Sequence, residues 1–150
     1  MKVTILLVED SEDDVFFMKR ALELAGVNNP LQVVMDGQAA LDYLAGQDKF
    51  ADRVSYPLPG LVLLDLRMPL VPGFEVLKWM REQSHLCCVP VIVFTSSRQD
   101  SDMLSAYALG ANSFLVKPSD ANELVNIVKA ISGYWLRYNE VPSPRVPAAS

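Results

Sequence analysis

The sequence contains little cysteine and a single histidine. Its two cysteines, Cys87 and Cys88, are adjacent, so a disulfide between them would be strained, and the lack of others fits a reducing compartment. Neither has metal-ligand spacing, and we expect both to be small, buried or half-buried side chains, since a free cysteine usually behaves as a small hydrophobic residue. His85 is expected in the loop between the third helix and the fourth strand, without an acid–base role.

Long apolar runs and an excess of basic charge are also missing. No uninterrupted apolar stretch reaches the roughly 18 residues of a membrane span, and the start of the chain lacks the architecture of a signal peptide. The net charge of −5 and the lack of a basic stripe argue against nucleic-acid binding, which depends on clustered lysine and arginine. We therefore expect a cytoplasmic protein that binds neither nucleic acid nor membrane.

The sequence does show strand-like apolar runs that alternate with helical patterns from end to end. We predict strands near residues 3–8, 31–35, 61–65, 90–95 and 113–116, and helices near 12–26, 37–46, 73–84, 100–110 and 120–138. Short apolar runs without polar interruption indicate a parallel sheet covered on both faces. The predicted fold is α/β, with three layers and a doubly wound sheet of five parallel strands.

The domain organisation follows from the same pattern. Residues 1–138 form one predicted domain, and residues 139–150 form a short tail that contains prolines. The connection at 47–60 is longer than the usual ~4–6 residues. We favour an extra helical turn and a surface loop there over a dedicated binding loop.

Polar side chains stand where several predicted strands end. Glu9 and Asp10 follow the first strand, and Asp65 follows the third. Thr95-Ser96 ends the fourth strand, and Lys117 follows the fifth. The carboxyl ends of parallel strands share one edge of the sheet, where such folds bind ligands. Acids crowded there repel one another and need a cation, a proton or a reaction.

These residue types suit phosphoryl chemistry. Mg²⁺ prefers oxygen ligands and phosphate, so we expect Asp10 and Asp65 as direct ligands, Glu9 as a ligand through water, and the backbone carbonyl of Arg67 as another. Mn²⁺ could substitute. A carboxylate can also act as a nucleophile and form an acyl phosphate, and Asp65 is best placed for that role. The Lys117 ammonium and the Thr95 hydroxyl would help to position and neutralise the phosphoryl group.

Taken singly, each of these residues has an ordinary structural explanation. Asp65 could cap a turn, Thr95-Ser96 could cap the fourth helix, and Lys117 could be a solvated lysine. Glu9 and Asp10, with Ser11, Glu12, Asp13 and Asp14 after them, could be an acidic helix start favoured by the helix dipole. Their joint occurrence, in order and each at a strand end, favours a phosphoryl-handling site.

Four separated segments together resemble a known family. They are Leu6-Leu7-Val8-Glu9-Asp10, Asp65-Leu66-Arg67-Met68-Pro69 with Gly73, Thr95-Ser96, and Phe114-Leu115-Val116-Lys117-Pro118. They resemble the receiver domain of bacterial response regulators over about residues 3–138. The acidic start, the long 47–60 connection and the aromatic-rich last helix look, more narrowly, like stand-alone regulators paired with phytochrome-type kinases.

The resemblance implies a flavodoxin-like receiver fold with strand order 2-1-3-4-5. It implies that Asp65 accepts a phosphoryl group from a phosphohistidine on a sensor histidine kinase, with Mg²⁺ as cofactor. Thr95 and Phe114 would move together on activation, and the phosphate would contact Thr95, Ser96, Lys117 and Arg67. The protein would be a phosphoacceptor switch in a two-component phosphorelay, with at most self-phosphorylation and self-dephosphorylation.

The chain departs from the family pattern at three positions. Pro72 stands where the family commonly has an aspartate, so a helix-capping carboxylate is lost. Arg67, two residues after Asp65, could shield the phosphate or pair with an acid. Phe114 instead of tyrosine keeps the ring and removes a hydroxyl group.

The surface of the fourth helix, fifth strand and last helix would change shape on phosphorylation and bind a downstream protein. Surplus apolar residues Tyr134, Trp135 and Leu136 make it a candidate homodimer face, or they close the end of the core. Two other interpretations remain open. A phosphorylation-independent binding module would use the fold for docking alone, although retention of all five site positions argues against it. A phosphohydrolase of the haloacid-dehalogenase type needs a second acid where this chain has Arg67.

Overall fold

The computed structural model describes residues 2–142, in which five strands alternate with five α-helices. The strands are β1 Ile5–Val8, β2 Leu31–Val34, β3 Leu61–Leu64, β4 Val91–Thr95 and β5 Ser113–Val116. The helices are α1 Glu12–Leu24, α2 Gly37–Ala45, α3 Gly73–Glu82, α4 Asp100–Ala108 and α5 Ala121–Tyr134. The predicted tail at 139–150 lies mostly outside the described residues, and the domain boundary at 138 stays a prediction.

The strands form one parallel sheet in the order β2-β1-β3-β4-β5. Val8 at the end of β1 lies in register with Val34 and with Leu64, so three strands end at the same level. Thr95 at the end of β4 pairs with Val116 of β5. The predicted fold class and strand order are therefore confirmed, and the carboxyl ends of the strands share one edge.

A hydrophobic core lies on each face of the sheet, because successive strand residues point to opposite sides. Leu6, Val8, Val62 and Leu64 pack on the side of α2, α3 and α4. Ile5, Leu7, Leu61 and Leu63 pack on the side of α1 and α5. The two cores fix the height and direction of the strand ends, and so the place of the side chains that follow them.

Polar caps begin three of the helices. The Ser11 hydroxyl accepts a hydrogen bond from the Asp14 N–H (3.3 Å), and the Asp36 carboxylate accepts one from the Ala39 N–H (2.7 Å). Asp120 caps α5 by accepting from the Asn122 N–H at 2.9 Å. Pro72 precedes α3 and offers no side-chain cap, which confirms the loss expected there.

The last helix is shorter than predicted. It ends at Tyr134, and a hydrogen-bonded turn, in which the Tyr138 N–H donates to the Tyr134 carbonyl, follows it. The apolar spacing that predicts the helix continues through this turn, so the sequence pattern indicates a longer helix than the structure contains. Trp135 and Leu136 pack in part against the core, whereas Tyr134 is 51% exposed.

The prediction for the two cysteines was wrong, because Cys87 and Cys88 are both exposed. They lie in the turn between α3 and β4, where the apolar neighbours Leu86 and Val89 occupy the buried positions. Their sulfur atoms are 3.8 Å apart. His85, also in this turn as expected, is half-buried, with its Nε2 3.5 Å from the Leu44 carbonyl oxygen.

The 47–60 connection contains the expected helical turn, a 3₁₀ segment at Asp48–Ala51. It leads into the amino end of β3, so it lies at the edge of the sheet opposite the strand-end acids. Within residues 2–142, the helices are all too short or too polar to cross a lipid bilayer.

Candidate functional site

The site begins with three carboxylates at the ends of neighbouring strands. Because β1 and β3 are paired in register, Glu9 and Asp10 arrive beside Asp65. One carboxylate oxygen from each of the three lies within 4.8 Å of the other two. Glu9 is 2% exposed and Asp65 is 7% exposed, whereas Asp10 faces solvent. The fold therefore places three acids in one small space that opens to solvent at Asp10.

Lys117 supplies the balancing positive charge. It follows β5, and its backbone N–H donates to the Thr95 carbonyl at 2.8 Å, which holds it beside the end of β4. Its Nζ lies 2.6 Å from Glu9 Oε2 and 2.9 Å from Asp65 Oδ2. The lysine thus reaches across the sheet edge to the acids that follow β1 and β3.

The Asp65 carboxylate is held by hydrogen bonds on both oxygens. Its Oδ1 accepts from the Leu66 N–H at 2.7 Å and from the Arg67 N–H at 3.4 Å, and its Oδ2 accepts from Lys117. Gly73 packs so closely below this loop that a Cβ atom there would lie 2.1 Å from the Asp65 carbonyl oxygen. The glycine is therefore needed for the loop to hold Asp65 in place.

Burial and neighbouring charged groups raise the pKa values of both Glu9 and Lys117 or oppose that rise. Burial raises the pKa of Glu9 to about 7, the Asp65 charge adds to this rise, and the hydrogen bond from Lys117 opposes it. Burial alone would lower the pKa of Lys117, but its hydrogen bonds to Asp14, Glu9 and Asp65 outweigh burial and raise it. Lys117 therefore stays charged, while the acids still carry more charge than one lysine can balance.

The donor set fits a divalent metal ion. Hard divalent cations bind carboxylate oxygens, and Mg²⁺ typically takes one or two carboxylates with water and phosphate oxygens. Glu9, Asp10 and Asp65 provide such oxygens from two buried positions and one exposed position. A divalent cation here would also offset the Asp65 charge, which adds to the rise in the pKa of Glu9 that burial causes.

The predicted hydroxyl groups lie one strand away from Asp65. Thr95 is fully buried at the end of β4, and its Oγ1 accepts a hydrogen bond from the Ser97 N–H at 3.4 Å. Ser96 is exposed. Phe114, half-buried on β5 opposite Val93, packs against the α2–α4 core. The fold thus puts Thr95 and Phe114 on adjacent strands.

Sequence reasoning missed the part that Asp14 takes in the site. We expected only a helix-start acid, but Asp14 Oδ2 lies 2.7 Å from Lys117 Nζ. Asp14 stands four residues after Asp10, in the first turn of α1, and this spacing could have indicated that it faces the same edge.

Asp102 and Ser97 were also missed. Arg67 turns its guanidinium to Asp102 of α4, with Nη2 2.8 Å from Oδ2, which matches one of the two expectations for this arginine. The Ser97 hydroxyl donates to the same carboxylate oxygen at 2.6 Å. No sequence signal indicated these contacts, because they join the loop after β3 and the loop after β4 to the first turn of α4.

The family described as "Response regulator receiver domain" matches residues 5–129. The probable methanogenesis regulatory protein FilR2 of Methanothrix harundinacea is 40% identical over 140 residues, which cover 93% of this chain and 88% of that protein.

Two solved structures are similar over nearly the whole chain. One is the phosphorylated cyanobacterial phytochrome response regulator RcpA, with 32% identity and a TM-score of 0.88, covering 95% of this chain and 100% of that one. The other is the Mn²⁺-bound form of the response regulator Rcp1, with 33% identity and a TM-score of 0.84, covering 94% and 99%. The full sequence of the response regulator Rcp1 of Synechocystis sp. is 33% identical over 139 residues, which cover 93% of this chain and 92% of that protein.

Proposed function

Because the chain belongs to the response regulator receiver domain family, we propose that it is a single-domain switch in which Asp65 accepts a phosphoryl group from a sensor histidine kinase. Members of this family are signalling proteins of two-component systems rather than ordinary enzymes. The single observation that carries the proposal is the cluster of the Glu9, Asp10 and Asp65 carboxylates, with Lys117 Nζ 2.9 Å from Asp65 Oδ2.

The proposed reaction is a simple displacement at phosphorus. An oxygen of Asp65 attacks the phosphorus of a phosphohistidine, the new P–O bond forms as the P–N bond breaks, and the imidazole leaves with the electron pair and takes up a proton. The backbone N–H groups of Leu66 and Arg67 hold Oδ1, which leaves Oδ2 beside Lys117 as the oxygen directed into the site.

A divalent metal ion, Mg²⁺ in the cell with Mn²⁺ as a substitute, is the proposed cofactor. Asp10 and Asp65 would hold it directly, Glu9 through water, and the Arg67 carbonyl would add a further oxygen ligand. When bound, it would neutralise charge on the transferred phosphoryl group. Lys117 would contact the phosphoryl oxygens, with Thr95 and Ser96 as hydroxyl donors from the end of β4.

The proposed switch lies between β4 and β5. A phosphoryl group adds about −1.5 to −2 charges and three acceptor oxygens, and Thr95 would move toward it. Phe114, half-buried on the adjacent strand, would then turn into the space that Thr95 leaves. The loop before α4 would rearrange, and the surface of α4, β5 and α5 would bind a downstream protein.

For the kinase, we propose a phytochrome-type sensor. Support comes from the similar structure of RcpA, which is described as a phytochrome response regulator. In this proposal the kinase would approach Asp65 past the start of α1 and the loop before α5. A cavity of about 170 Å³ lies there, lined by Asp14, Phe17 and Lys117 among others. It offers a place for kinase side chains beside the phosphoryl donor.

We also propose that the α4–β5–α5 surface forms a homodimer. Exposed apolar side chains on it include Leu104 and Tyr107 of α4 and Tyr134 of α5, and such groups often mark interfaces. Light scattering after size exclusion, at several concentrations with and without beryllofluoride, measures the mass directly. A mass of one chain under every condition would exclude the dimer.

The main experiment uses acetyl phosphate as the phosphoryl donor and intact mass spectrometry as the readout. We expect one added phosphate in the presence of Mg²⁺, none with EDTA, and none in Asp65→Asn. Asp13→Asn removes an exposed acid near the site and serves as the matched control that keeps the phosphate. Phosphate gained by Asp65→Asn would contradict the proposal.

A further inference from the structure

Arg67 has its backbone in the site and its charged group elsewhere. Its N–H donates to Asp65 Oδ1 at 3.4 Å, while its guanidinium reaches α4 and binds Asp102 at 2.8 Å. The guanidinium is therefore held near the loop that carries Asp65, but the acid that it binds belongs to α4.

Asp102 is unusual for an acid in the first turn of a surface helix, because it is only 8% exposed. A buried carboxylate is stable only with hydrogen-bonding partners. Its Oδ2 has two, the Arg67 guanidinium and the Ser97 hydroxyl at 2.6 Å. These hydrogen bonds, that from Ser97 first, lower the pKa of Asp102, so it remains a full negative charge that holds the arginine.

The same contacts join the two loops that flank the site. Ser97 follows Thr95 in the loop after β4, and its N–H donates to Thr95 Oγ1 at 3.4 Å. Its hydroxyl also accepts from the Gln99 N–H at 3.3 Å, just before α4. A continuous set of polar contacts thus runs from Arg67, through Asp102 and Ser97, to Thr95.

We propose that Asp102 is a positioning residue that holds the Arg67 guanidinium away from Asp65 and so limits how tightly the site binds a phosphoryl group. The proposal rests on the proposed function. A phosphoryl group on Asp65 places more negative charge beside the Arg67 backbone than Asp102 carries. The guanidinium can then exchange Asp102 for the phosphoryl oxygens, which it binds well because its planar donors match them.

The exchange has a consequence for α4. When Arg67 leaves, Asp102 keeps only the Ser97 hydroxyl of its two partners, and a buried carboxylate with fewer partners is less stable. The first turn of α4 is then free to shift toward solvent together with the loop after β4. Phosphorylation at one edge of the sheet would in this way act on α4 through the arginine, in addition to any movement of Thr95.

The test measures beryllofluoride affinity in the presence of Mg²⁺ by fluorine NMR, because this ion complex mimics a phosphoryl group without turnover. We expect Asp102→Asn, which keeps the shape and removes the charge, to bind roughly two- to fivefold more tightly, the range that partly exposed ion pairs support. Asp102→Glu restores the charge and should return the affinity toward that of the wild type.

Two further variants separate positioning from a merely structural role. Asp100→Asn removes an exposed acid from the same helical turn and should leave the affinity unchanged. In the Arg67→Met background, Asp102→Asn should not change the beryllofluoride affinity further, because the guanidinium that Asp102 holds has already been removed. Weaker beryllofluoride binding by Asp102→Asn would contradict the proposal, because it would indicate that Asp102 only supports the structure of α4.

The outcomes also separate this proposal from the proposed function. If the wild type binds beryllofluoride and Asp102→Asn binds it equally well, the role of Asp102 is wrong while the phosphoacceptor site stands. Tightening that persists in the Arg67→Met background would likewise overturn the role of Asp102. If the wild type binds no beryllofluoride, both proposals fall.

Discussion

Among single residues, Lys117 is the one on which the charge balance of the site depends. Its ammonium contacts Glu9, Asp14 and Asp65 at 2.6–2.9 Å. Two of these acids are buried, so in the absence of a metal ion the lysine is their main compensation. Removal of a charge from a buried pair is costly because the partner is left unpaired.

We expect Lys117→Met to lower the free energy of unfolding by roughly 2–3 kcal/mol at pH 8 in EDTA, less than the ~3–5 kcal/mol of fully buried pairs, because Asp14 is partly solvated. Urea unfolding measures the change. Mg²⁺ should reduce the loss, since the ion would replace part of the missing charge. Lys129→Met, at an exposed site of α5, is the control, and an equal loss in both variants would contradict the expectation.

The raised pKa of Glu9 predicts the direction in which the free energy of unfolding changes with pH. Its pKa is raised to about 7 by burial, so the folded protein binds a proton more strongly than the unfolded chain does. The free energy of unfolding should therefore rise as the pH falls from about 7 to about 4.5, and fall as the pH rises through this window. This holds for the protein in EDTA.

Glu9→Gln removes this titration, so the stability of the variant relative to the wild type should increase from pH 5.5 to pH 8. Urea unfolding of both proteins at the two pH values cancels the other titrating groups. Glu12→Gln, at an exposed acid of α1, should show no such trend. A flat difference for Glu9→Gln would show that Glu9 titrates normally.

Among the elements, the 47–60 connection is held by side chains rather than by regular structure. Arg53 donates hydrogen bonds to the carbonyl oxygens of Tyr43, Leu44 and Tyr56 at 2.8–3.2 Å. The Tyr43 hydroxyl donates to the Pro57 carbonyl at 2.7 Å. These bonds satisfy carbonyl groups at the end of α2 and fix a segment that its two prolines keep irregular.

Arg53→Ala should lower the free energy of unfolding by about 2 kcal/mol, since it removes charge-assisted hydrogen bonds to partly buried carbonyl groups. Phosphorylation should be unchanged, because the connection lies at the opposite edge of the sheet from Asp65. Chemical denaturation with Arg20→Ala, an exposed arginine of α1, as the control tests this. A loss below 0.5 kcal/mol would show that the connection contributes little.

Across the whole molecule, the stability should depend on divalent metal because the sheet edge gathers acids that repel one another. A ligand that binds only the folded state at 100 times its Kd adds about 2.7 kcal/mol. We expect Mg²⁺ and Mn²⁺ to raise the unfolding temperature, and Asp10→Asn or Asp65→Asn to remove most of the rise. Asp13→Asn should keep it, and an equal rise in Asp65→Asn would place the metal elsewhere.

The strands and their order were predictable because local patterns carry them. Runs such as Leu61–Leu64 are apolar at every position, which identifies buried parallel strands, and Asp65 stands out as the first polar residue after one. The end of α5 was less predictable, because its apolar spacing continues beyond Tyr134 in a turn. Cys87 and Cys88 were misjudged because residue type alone does not say which side of a turn faces solvent.

The sequence by itself determined the parallel α/β fold, the strand ends and the acids, hydroxyl and lysine that follow them, because each depends on hydrophobic pattern and chain order. Only the tertiary structure decided which charges meet. Asp14 turns to Lys117 and Asp102 takes the guanidinium of Arg67, through contacts between residues far apart in the chain. Such pairings depend on how helices pack against a sheet edge, and a linear pattern does not encode that packing.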